Sequence, residues 1–329
     1  MPHSAHGRTM TRRPVTRSAA RPPAATPRAT IIILVLATLA LLAAACGGSG
    51  GGSTDRGLDS GVFVVNESDS PFVPVIESTD IAVDLDRLVI TLLDRTVAPT
   101  FAAGATFAVR YFDPVEGGLR FREDRPAQAI AIDGEIFYVA TAPLDRAGQW
   151  ELQVLVSLPN ADRLMSARLP FIVALAPTSP TIGDRAPRSP TLTLRDGPLA
   201  TITSDPTPDP SLYETSIVDA LDQHQPFVVA FTTVGFCFGR GLCQRAVDQL
   251  KRIAATTSLI AIHAEPLVDI APGATPVPSE SGVLTDWNLE SDPWIFVIDA
   301  DGIITDRFEI LVDAAELTAA LERLANTVP

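Results

Sequence analysis

Cysteine, lysine and histidine are all scarce in this chain of 329 residues. Only three cysteines occur, Cys46, Cys237 and Cys243, and the first falls in an N-terminal segment with the marks of an export signal. One pair is left for thiol chemistry. From Val62 to Ala176 there is no cysteine or histidine, and the only methionine there is Met165, so nothing in that stretch supports copper binding. Lys251 is the only lysine, and no charge cluster accompanies it, so it reflects composition rather than a site. Basic residues are short overall, 25 against 39 acidic; the first 45 residues hold six of the arginines, and 25 − 6 leaves 19 for the rest, a net charge of about −20. Such a balance argues against a nucleic-acid partner. The apolar run Ile31 to Leu42 is too short for a comfortable membrane span.

What is present at the N-terminus is ordered like a secretory signal. Six arginines and no acid precede the apolar run, and Ala43-Ala44-Ala45 follows it immediately before Cys46. Residues 1–45 are therefore expected to be a signal peptide and residues 46–61, beginning GGSGGGS after the cysteine, a flexible tether. Cysteine directly after small residues resembles the lipobox of bacterial lipoproteins. The resemblance implies cleavage before Cys46, diacylation of its sulfur, and a protein held by a lipid anchor on the extracytoplasmic face of the cell membrane. An uncleaved signal anchor with an incidental cysteine is the alternative.

The mature length, roughly 280 residues, suits two domains. Nine of the 28 prolines lie between Pro170 and Pro210, which predicts a stiff connector and lead-in segment at residues 177–195. Before it, residues 62–176 read as all-β. Ala105, Phe107, Val109 and Tyr111 alternate with Thr106, Ala108 and Arg110, as do Trp150, Leu152, Val154 and Val156 with their neighbours, and Asp113-Pro114, Gly117-Gly118, Asp133-Gly134 and Ala147-Gly148 are turn signals. The expectation is an immunoglobulin-like sandwich of seven or eight strands. Within it Leu144 to Val154 resembles the penultimate strand of YtkA-like exported domains, and a partner-binding or spacer role is expected.

Residues 196–329 carry the chemistry. Phe227 to Phe231 is a short apolar run of the kind expected for a strand buried on both faces; Gly235, Gly239 and Gly241 then permit a tight loop, and Ala246, Val247, Leu250, Ile253 and Ala254 recur at helical spacing. Cys237 lies in the loop and Cys243 where the helix begins, close to unpaired backbone N–H groups that stabilise a thiolate. These residues resemble the thioredoxin-like superfamily, and further matches follow in order: Pro180 to Leu194 resembles the lead-in of peroxiredoxins and TlpA-type proteins, Leu259 to Ala264 a second strand, Pro293 ahead of Trp294 to Ile298 the family's cis-proline, and Asp301-Gly302 with the helix Asp313 to Leu324 the close of the fold. The resemblance implies an α/β thioredoxin-like fold and a thiol–disulfide oxidoreductase acting on exported protein thiols and disulfides, with no cofactor. Cys237 is then the attacking thiolate, with Arg240 adding positive charge, Cys243 the resolving partner, and Pro293, Trp287, Trp294 and Phe236 the surface beside them.

Three other readings stay open. The five residues between Cys237 and Cys243 exceed the family's usual C-x-x-C, and exported cysteines often pair as inert disulfides, although so short a loop gains little chain entropy from closure. His263, at a strand end, would complete a Cys237, Cys243, His263 set similar to the copper site of Sco-type assembly factors; the plainer alternative is a hydrogen-bonded histidine. The third is an adaptor without catalysis. A peroxidase is disfavoured because Val234 stands where peroxiredoxins place threonine. Glu265 to Gly282, with four prolines, is expected to be a long mobile loop.

Overall fold

The computed structural model describes residues 70–94, 105–157, 164–237, 241–268, 277–278 and 282–327. Gly61–Pro329 gather into one compact unit. Cys46, the signal segment and the tether lie outside the described residues, as do Gly239, Arg240 and residues 269–276 of the expected mobile loop.

The first part is built from β1 (Phe72–Ile76), β2 (Arg87–Asp94), β3 (Thr106–Val115), β4 (Gly118–Ile132), β5 (Glu135–Thr141), β6 (Gly148–Ser157) and β7 (Leu164–Val173). Side-chain alternation sends Val109 and Tyr111 of β3 and Trp150, Leu152, Val154 and Val156 of β6 into one core with Phe72, Leu88 and Tyr138. Gly134 closes the β4–β5 hairpin at φ +89°, a conformation that side chains with a Cβ rarely adopt.

The sandwich expectation is corrected here. All seven strands belong to one hydrogen-bonded sheet in the order β1-β2-β5-β4-β3-β6-β7. The reason is β4, 15 residues long, which pairs with β3 from Gly118 to Pro126 and with β5 from Ala127 to Ile132, so one strand joins what would have been two layers. The sheet then curls almost to a barrel: Ala82, beyond β1, bridges Ala174, beyond β7, with Val83 N donating to Ala174 O at 3.0 Å and Ala174 N to Ile81 O at 2.9 Å.

Downstream come α1 (Leu199–Ile202), α2 (Ile217–Asp222), β8 (Phe227–Phe231), α3 (Leu242–Thr256), β9 (Ile260–Ala264), β10 (Leu267–Val268), β11 (Val277–Pro278), α4 (Val283–Trp287), β12 (Trp294–Ile298), β13 (Ile304–Glu309) and α5 (Ala314–Thr327). The α/β thioredoxin-like expectation is corrected as well. The sheet has four strands in the order β13-β12-β8-β9, and only β8 with β9 is parallel. Of the helices only α3 and α5 exceed six residues, so the described chain is mostly β and no clear α/β thioredoxin fold emerges. The fully apolar run of β8 does not require an all-parallel sheet: β12 is equally buried on both faces and pairs antiparallel on both sides. Leu250 and Val247 of α3 and Leu317 of α5 cover one face; Ile217, Val283 and Trp287 cover the other.

The two sheets share a core. Val89, Ile130, Ile132 and Phe137 of the seven-stranded sheet cluster with Leu242, Ile310 and Leu311. Polar groups lock the same seam: buried Glu309 accepts from Thr79 N at 2.7 Å, Thr79 Oγ1 at 2.6 Å and Ser291 Oγ at 2.7 Å, and Arg87 pairs with Glu316 at 2.8 Å. The expected connector is held in place. Asp80 accepts from Thr178 N and Ser179 N and pairs with Arg307 at 2.9 Å, while Ser179, Ala186 and Ser189 are buried. Asp80 stays ionised below the usual carboxylate range because these hydrogen bonds and Arg307 outweigh its burial.

Candidate functional site

At the end of β8 the chain passes through buried Thr232 and Thr233, makes one 3-10 turn over Val234–Phe236, and reaches Cys237, which is half-buried. Gly241, at φ +62°, caps α3, so Cys243 occupies the second position of that helix and is fully buried. The first helical turn leaves N–H groups without intrahelical acceptors, and these favour a sulfur anion at Cys243. Cys237 and Cys243 form a disulfide with a Cα–Cα separation of 6.1 Å.

The disulfide thus joins a half-buried residue to a fully buried one. Against the fully buried one stands a residue that the sequence did not single out: Cys243 Sγ lies 3.5 Å from Asp292 Oδ1. Thr233 N donates to Asp292 Oδ2 at 3.0 Å, so the strand that delivers Cys237 also fixes the acid. Burial pushes the Asp292 carboxyl above its usual range, against the opposing Thr232 hydroxyl and Thr233 N–H. The bond from Asp292 to Pro293 is cis, and Pro293 is buried next to β12.

The other expected site residues are placed differently. Phe236, 37% exposed, stands beside Cys237. Trp287 and Trp294 are fully buried and pack on Phe296, with centroids 4.8 and 5.5 Å away, and Arg307 covers the Trp294 ring at 4.7 Å. They belong to the core beneath the loop. His263 is fully buried; its Nε2 meets Thr232 O at 2.9 Å and its Nδ1 meets Tyr213 Oη at 2.6 Å. Burial lowers its pKa to about 4, which keeps it neutral. With both ring nitrogens engaged and both sulfurs joined, the Cys237, Cys243, His263 set is not assembled, and no cluster of three or more potential ligands occurs among the described residues.

Glu265, expected at the start of a mobile loop, is instead a fixed element of the site. Its Oε1 accepts from Ser204 N at 2.6 Å and Ser204 Oγ at 2.7 Å and lies 2.8 Å from Thr203 Oγ1. Ser204 Oγ in turn accepts from Gly235 N at 2.8 Å, two residues before Cys237. Burial raises the Glu265 pKa against these hydrogen bonds, and the Asp292 charge raises it further. The only signals for these acids in the sequence are positional: Asp292 precedes Pro293, and Glu265 follows a strand end.

No protein-family model matches the chain, and no curated protein matches it. Among solved structures it is similar to the solution structure of the fibronectin type-III domain of human fibronectin type III domain containing protein 3, at 14% identity and a TM-score of 0.21, over 39% of this chain and 94% of that one. So weak a superposition bears on neither fold nor activity.

Proposed function

We propose that the protein is a thiol–disulfide oxidoreductase for exported proteins, held at the extracytoplasmic face of a bacterial membrane by a lipid on Cys46. One observation carries the chemistry: a disulfide between half-buried Cys237 and fully buried Cys243, whose sulfur faces a carboxyl of raised proton affinity. A substrate thiolate attacks Cys237 Sγ. The Cys237–Cys243 bond breaks, its electron pair leaves on Cys243, and the Asp292 carboxyl supplies the proton that neutralises the buried thiolate. A second substrate thiolate then attacks the substrate sulfur of the mixed disulfide and releases Cys237. Two electrons pass from the substrate dithiol to the protein pair, and the reverse sequence returns them. The helix end and Asp292 together make Cys243 a good leaving group in a site where an isolated anion would be costly.

The assay is exchange with a scrambled disulfide protein. Native chain should catalyse it, and Cys243→Ser should accumulate mixed disulfides on Cys237. If neither Cys243→Ser nor Cys237→Ser traps a partner, the bond is a structural one. The anchor rests on the basic segment, apolar run and Ala-Ala-Ala-Cys order at the N-terminus. Metabolic labelling with a lipid precursor should vanish in Cys46→Ala; persistent label would remove the anchor from the proposal.

A further inference from the structure

Four side chains, His263, Tyr213, Thr203 and Glu265, form a line whose protons can be counted. His263 Nε2 faces a carbonyl oxygen, Thr232 O, and must carry a hydrogen. Three contacts then run outward from the other nitrogen: His263 Nδ1 to Tyr213 Oη at 2.6 Å, Tyr213 Oη to Thr203 Oγ1 at 2.9 Å, and Thr203 Oγ1 to Glu265 Oε1 at 2.8 Å. Three hydrogen bonds need three protons, and the two hydroxyls supply two. The third sits at one end, either on Nδ1, giving an imidazolium and a carboxylate, or on Glu265, giving a neutral imidazole and a carboxylic acid. A single proton therefore satisfies the line in two ways, and moving it reverses every bond along the line.

Both ends of this line reach the segment that carries the cysteines. His263 holds Thr232 O, one residue before Thr233, whose N–H holds Asp292. Glu265 holds Ser204, which holds Gly235 N. We propose that Glu265 and His263 share one proton through Tyr213 and Thr203, and that Glu265 is a positioning residue whose proton is coupled to the charge on Asp292, the acid that faces Cys243. Its functional consequence rests on the thiol-exchange reading; the shared proton itself does not. Burial of both ends favours the neutral pair, since it lowers the histidine and raises the acid. The other charges facing the line are Asp205, held by Lys251 at 2.7 Å, Asp209 near Tyr213, and Asp292 itself. Asp205 stays ionised because Lys251 and Thr207 N–H outweigh its burial, so it is a constant charge while Glu265 titrates.

The test is a titration of carboxyl carbon resonances in the oxidised full chain. The Asp292 charge raises the Glu265 midpoint, so Asp292→Asn should lower that midpoint by about one pH unit, the scale on which like-charged neighbours act. Tyr213→Phe cuts the line without adding charge and frees Thr203 to donate to Glu265, so it should lower the Glu265 midpoint. Unchanged midpoints in both variants would overturn the proposal, and a variant that does not fold leaves the other to decide it. The pH profile of exchange supplies the functional arm: E265Q, which holds that end of the line neutral at every pH, should remove the limb on which Glu265 ionises. A native chain without exchange would sink the oxidoreductase reading alone, because the carboxyl titration still decides whether the proton is shared.

Discussion

Acidification should destabilise this protein through His263, and the size of the effect follows from where the imidazole sits. In the unfolded chain a histidine titrates near 6.5, whereas in the folded state burial lowers the midpoint to about 4. Between those values the unfolded chain binds the proton and the folded chain does not, so stability falls as the pH drops through the window. Linkage over pH 7 to pH 5 gives a loss of about 2 kcal/mol, approaching about 3 kcal/mol below pH 4. Asp292 and Glu265 act with the opposite sign, because their raised folded midpoints make the folded chain the better proton binder. A difference measurement removes Asp292 and reads His263 together with the Glu265 proton coupled to it. Urea unfolding with the disulfide intact, followed by the fluorescence of buried Trp150, Trp287 and Trp294, should be run at both pH values on native chain and on His263→Gln, which keeps a donor for Thr232 O. The native chain should lose about 2 kcal/mol more than the variant on going to pH 5. Equal losses would mean that His263 titrates as freely in the folded chain as in the unfolded one.

Three further outcomes follow from packing. Leu250→Ala, in the core between α3 and the four-stranded sheet, should cost about 2–5 kcal/mol and lower the urea midpoint. Glu309→Ala leaves Thr79 and Ser291 without their acceptor and should cost about 1–3 kcal/mol; a loss below 0.5 kcal/mol would show that the seam is not held there. At Gly241 a Cβ would come within 1.9 Å of Asp133 Oδ2 and would sit at φ +62°. Gly241→Ala should therefore destabilise the chain, and adding Asp133→Ala should recover the steric part while leaving about 1 kcal/mol from the backbone. Full recovery would refute the backbone contribution.

The individual elements were legible because their patterns are local. Phe227–Phe231 and Trp294–Ile298 are unbroken apolar runs that form β8 and β12, and the helical period from Ala246 to Ala254 falls within α3. How the strands combine was not legible. Residues 118–126, rich in arginines and acids, alternate only Leu119 and Phe121 with polar neighbours, yet they form the half of β4 that fuses the seven strands into one sheet. The proline-rich stretch near Ser179 suggested a stiff connector, and the hydrogen bonds by which Asp80, about a hundred residues earlier, pins it were not legible. Cys237 and Cys243 stood out by scarcity and by their place between an apolar run and a helical period. Asp292 and Glu265 did not, because a carboxylate gains its unusual proton affinity only from burial and neighbours that the fold supplies.

The central claim is tested most directly by equilibrating the native chain against glutathione and thioredoxin redox buffers and counting free thiols on Cys237 and Cys243. An exchange-active pair should change state reversibly, with a midpoint above about −300 mV. A bond that stays oxidised below that potential, and that traps no partner in Cys243→Ser, would contradict the assignment of this site to thiol–disulfide exchange.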